Sequence, residues 1–71
     1  MSPRHLRAKA GVALPVMASA LGMSSAAVLS LEATPIDAWT LRVLERYVAA
    51  CGHRLQLGAV RAADGREEAL G

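Results

Sequence analysis

Apolar side chains recur every three or four positions over most of this chain, then every second position near its end. The first period is that of a helix with one buried face, the second that of a half-buried strand. Ser2-Pro3 opens a helix to about Ala10, with Leu6 and Ala10 on its inner face, and Gly11 stops it. A second helix spans about Leu14 to Leu21, tolerating Pro15 in its first turn, and ends at Gly22. Ser24 then caps a third, from about Ser25 to Leu31.

Thr34-Pro35-Ile36-Asp37 predicts the start of the longest helix. Thr34 is its cap, Pro35 its first residue and Asp37 the acidic half of a capping box. It runs to about Cys51, before Gly52, with Leu41, Leu44, Val48 and Cys51 as its apolar stripe and Trp39, Val43 and Tyr47 widening it. Past Gly52, Leu55, Leu57 and Ala59 alternate with other residues, which predicts a strand over 54–60. A lone strand leaves its ladder groups unpaired, so these three residues are expected to pair with the same strand of a second copy. The expected domain is 1–61, and the charged, glycine-containing stretch 62–71 is expected to be a flexible tail.

The joint between the second and third helices makes specific demands. Helices that cross steeply need a small residue at their closest approach, which Ala18 supplies, and a left-handed turn, which Gly22 allows. Their inner faces must be apolar, and Met17, Leu21, Met23, Val28 and Leu31 comply. Residues 14–33 therefore read as a helix-turn-helix.

Composition sharpens this picture. Seventy-one residues make one domain with a marginal core of its own. The chain is 54% hydrophobic but only 3% aromatic, and its Ala and Leu content favours helices. A single cysteine, Cys51, supplies no disulfide framework, which fits a reducing, cytoplasmic setting. The net charge of +2 is unevenly placed: residues 1–31 hold Arg4, Arg7 and Lys9 and no acid. A positive N-terminal half suits an anionic partner such as nucleic acid. The 22 uncharged residues between Lys9 and Glu32 have the outline of a signal sequence or membrane span. Gly11, Pro15, Gly22, the serines and the helical spacing of the bulky residues argue against both, so no membrane partner is expected.

The segments Leu6-Arg7, Ala10-Gly11-Val12, Met17-Ala18, Leu21-Gly22-Met23-Ser24, Ala27-Val28 and Leu31-Glu32 resemble the lambda-repressor-like (Cro/Xre) regulators. So do Leu44-Glu45-Arg46-Tyr47-Val48 and the stretch from Cys51 to Leu57. The resemblance covers about residues 4–60. It implies an all-α fold of four to five short helices, with a terminal strand paired across a homodimer that binds operator DNA. The ending is similar to that of many antitoxins of toxin–antitoxin pairs. Departures stand at three contact positions. Leu14 and Ser25 occupy places where the family commonly has glutamine, and Ser30 one where it often has Arg or Lys.

Two readings follow. In the first, double-stranded DNA is bound, with Arg4, Arg7 and Lys9 on phosphates and Ser24, Ser25, Ala26, Leu29 and Ser30 at the bases or backbone. In the second, Leu14, Val16 and Leu29 lie outside the core and dock a partner protein, either a toxin or another regulator. His5 and His53 lack ligand-spaced partners, so neither a metal nor a cofactor is expected. Cys51, Trp39 and Tyr47 read as packing residues, and Glu67-Glu68 as a solvated tail. No nucleophile–base pair, phosphate loop or paired carboxylates occur, and enzymatic activity is not expected.

Overall fold

In a computed structural model describing residues 2–60 and 62–70, four α-helices precede a short antiparallel hairpin. The helices are α1 (Pro3–Ala10), α2 (Leu14–Leu21), α3 (Ser25–Ala33) and α4 (Leu41–Ala50), with a 3-10 turn at Ile36–Ala38. The strands are β1 (Gly58–Val60) and β2 (Glu67–Ala69). The protein is thus small and mainly helical.

Local chemistry starts α1 and α3 and ends α1 and α2, while α2 starts at Ala13 without a side-chain cap and α3 runs two residues past Leu31. Ser2 Oγ accepts from His5 N (3.2 Å), and Ser24 Oγ accepts from Ala27 N (3.1 Å), so each satisfies a donor that its helix cannot. Gly22 closes α2 at φ +68°, from which α3 departs at 91°. Met17 and Val28 are fully buried across that angle, with Ala18 and Leu21 beside them. Met23 and Leu31 pack partly buried against the same core. No single helix among the described residues is long and apolar enough to cross a membrane; α2 and α3 pass such a test only as a bent pair.

The fourth helix starts later than its sequence suggests. Thr34 does not cap it; its hydroxyl donates to Ser30 O (2.8 Å) and closes α3 instead. Pro35 is extended (φ −55°, ψ 140°), and Asp37 lies in the 3-10 turn. Trp39 is also extended, and its indole donates to the carbonyls of Leu31 (3.1 Å) and Thr34 (3.2 Å). Those bonds satisfy the end of α3 and hold residues 34–39 against it. Helix α4 then begins under Thr40, whose Oγ1 accepts from Val43 N (3.2 Å). Its deepest residue is Tyr47, fully buried and edge-on to Trp39 (centroids 5.2 Å apart, 66°), whereas Leu41 of the expected stripe is exposed.

The end of the chain corrects the largest expectation. The strand is shorter than 54–60, and its partner is intramolecular: Gly58 pairs with Ala69, Ala59 with Glu68 and Val60 with Glu67. The stretch expected as a tail supplies β2. Gly65 (φ +71°) and the Asp64 carboxylate, which accepts from Arg66 N (3.0 Å), turn the chain back. Leu57 and Ala59 therefore lie in or beside a hairpin, and the unpaired strand that motivated pairing across a dimer does not exist. The boundary expected at residue 61 lies outside the described residues.

Candidate nucleic-acid interface

The expected interface has α3 at its centre. Ala26, Leu29 and Ser30 stand three and four positions apart on α3, all exposed, and so share one outward face. Ser24 precedes them with its hydroxyl committed to the cap, while Ser25 is half-buried. The N–H groups of Ser25 and Ala26 precede the first intrahelical bond and sit at the positive end of the helix dipole. The face can accordingly donate hydrogen bonds to an anion and make small apolar contacts. It has no side chain capable of a bidentate bond to a base.

Arg7 does not belong to this surface. Its Nε donates to Glu32 Oε2 (2.6 Å), its Nη2 to Glu32 Oε1 (3.1 Å) and its Nη1 to the Val12 carbonyl (3.2 Å). The two side chains are 14% and 3% exposed. Tyr47 completes the cluster, its hydroxyl proton shared between Glu32 Oε2 (2.6 Å) and the Pro3 carbonyl (2.9 Å). Burial opposes ionisation of Glu32, but the bonds from Arg7 and Tyr47 outweigh it and hold the carboxyl below its ordinary value. The Glu32 hydrogen bond raises Arg7, while burial and the same carboxylate push the Tyr47 phenol up. An arginine expected to bind phosphate is therefore a structural tie between α1, α3 and α4.

Sequence reasoning missed this cluster. Its one visible signal is that Glu32 is the first acid in the chain and ends an otherwise apolar helix, an unsuitable place for a solvated charge.

Arg4 and Lys9 are exposed, as phosphate ligands must be. Five positions apart on α1, they point about 140° from each other, so they do not form one stripe. Of the apolar positions expected to face a protein partner, Val16 (59% exposed) and Leu29 (50%) are open, but Leu14 is not. It packs partly buried against the core, because the first turn of α2 lies against it. Cys51 is buried, and burial raises its thiol, so it packs rather than reacts. His53 Nδ1 lies 2.9 Å from the Cys51 carbonyl in the turn after α4. Comparison with protein-family models, with curated proteins and with solved structures finds no match to this chain.

Proposed function

We propose that the protein is a small DNA-binding regulator on the helix-turn-helix plan of the Cro/Xre type, working as a homodimer with α3 in the major groove. One observation carries the reading. Glu32, the only acid before Asp37, is turned inward and neutralised by Arg7, so nothing on the outward face of α3 repels phosphate. The steep α2–α3 crossing supports it, as do the two unpartnered first-turn amides of α3 and the exposed Arg4 and Lys9. Affinity then comes mainly from the backbone, and selectivity from Ser30, methyl contacts by Ala26 and Leu29, and duplex shape. In such a dimer the half-sites lie about 34 Å apart.

Exposed Val16 and Leu29 favour a second reading, docking of a partner protein such as a toxin or another regulator. One substitution separates the two. Arg4→Ala removes an exposed cation and is expected to weaken binding to every duplex several-fold and flatten its salt dependence in an anisotropy titration, while leaving an apolar docking face intact. Unchanged DNA binding by a folded Arg4→Ala protein contradicts the DNA reading.

A further inference from the structure

Between α4 and the chain that follows it runs a groove of about 560 Å³, lined by Leu41 and Glu45 of α4 and by Arg54, Leu55, Gln56 and Leu57 of the segment leading into β1. Its volume lies within the range of small-molecule sites, and its walls combine apolar side chains with a few polar groups, as such sites do. Two observations indicate the ligand. First, the backbone N–H and carbonyl groups of Arg54, Leu55 and Gln56 bond to no described residue. One wall of the groove thus offers a run of open main-chain donors and acceptors, the groups that capture a peptide backbone laid alongside. Second, Glu45 and Arg54 carry opposite charges on the two walls, both exposed, and no ion pair joins either to a described residue. An uncharged apolar ligand leaves both unmatched. A short peptide with free ends matches both, because it carries an ammonium at one end, a carboxylate at the other and apolar side chains between them.

We propose that this groove binds a free oligopeptide of about three apolar residues, its main chain on the 54–56 segment, its amino group at Glu45 and its carboxylate at Arg54. The site shares no residue with the outward face of α3 and its test uses no DNA, so either reading can fail without the other. Isothermal titration of the full chain with tri-leucine tests it. The expected dissociation constant is between about 10 µM and about 500 µM. Saturating tri-leucine is expected to slow amide hydrogen exchange at Leu55 and Gln56 at least about threefold. Leu41→Asn, at a residue 56% exposed and outside the core, is expected to weaken binding at least about fivefold, with helical circular dichroism unchanged. Glu45→Gln is expected to weaken tri-leucine about threefold and to leave its N-acetyl form, which has lost the ammonium, unaffected. Arg54→Gln is expected to do the same to tri-leucine and to spare its C-terminal amide. No binding at about 2 mM tri-leucine overturns the site. Binding indifferent to all three substitutions, or without slowed exchange at Leu55 and Gln56, overturns its placement in this groove. Equal binding of tri-leucine and of a form blocked at both ends, as an internal protein segment would bind, overturns the free peptide as its ligand.

Discussion

Glu32 accepts three side-chain hydrogen bonds, as many as Arg7 donates. It takes bonds from Arg7 and Tyr47 while 3% exposed, a site where a carboxylate survives only fully paired. Glu32→Gln leaves the Arg7 guanidinium against a neutral amide. The expected loss is about 3 kcal/mol of unfolding free energy in urea, the low end for a broken buried pair because the amide still accepts one bond. Tyr47→Phe, which removes one donor and keeps the ring, is expected to cost about 1 kcal/mol. The cluster also sets a direction for pH. A carboxyl whose folded value is depressed contributes stability that is complete above its unfolded value, about 4.3 for glutamate. That contribution drains away as pH falls through the lower folded value. Unfolding midpoints in wild type should therefore drop between about pH 4.3 and more acid conditions, and Glu32→Gln should flatten that part of the profile. An equal acid slope in both proteins contradicts the assignment. None of this is legible in sequence spacing, since Arg7, Glu32 and Tyr47 are 25 and 15 positions apart and meet only through packing.

At the scale of elements, local chemistry was readable wherever a cap or a stop was a single residue. Ser2 and Gly11 bound α1, Gly22 ends α2 and Ser24 starts α3 for reasons contained in a few adjacent positions. Thr34-Pro35 failed because its competitor is remote in kind: the indole of Trp39 ties the segment to the end of α3, and Thr40 offers an equally good cap six residues on. The strand failed similarly, since its partner Glu67–Ala69 is too short and too charged to show a period of its own. The left-handed turn at Gly22 yields a clean prediction. A Cβ there meets nothing within 4 Å, so Gly22→Ala should cost only the left-handed backbone penalty, about 1–2 kcal/mol by thermal unfolding. A loss well above that range means that the turn is held by contacts as well as by conformation.

On the scale of the whole molecule, the helices and the hairpin are unequal. The radius of gyration is 13.7 Å and the long dimension 43 Å, against about 11 Å expected for the radius of a compact domain of this length. The six buried apolar residues described lie in or beside the helices, and both strands are exposed throughout, so the described core is helical. The proposed function sets the outward face of α3 against DNA, with the one nearby acid buried and, of the three N-terminal cations, Arg4 and Lys9 left exposed. Anisotropy of a labelled duplex titrated with the wild-type protein from about 50 to 200 mM salt tests this most directly. Saturable binding is expected at low salt with a dissociation constant at or below about 10⁻⁴ M, and log K should fall with log salt at a slope of roughly −2 to −4, as for about four phosphate contacts from the Arg4 and Lys9 of a dimer. Binding absent at about 50 mM salt, or indifferent to salt, would contradict it.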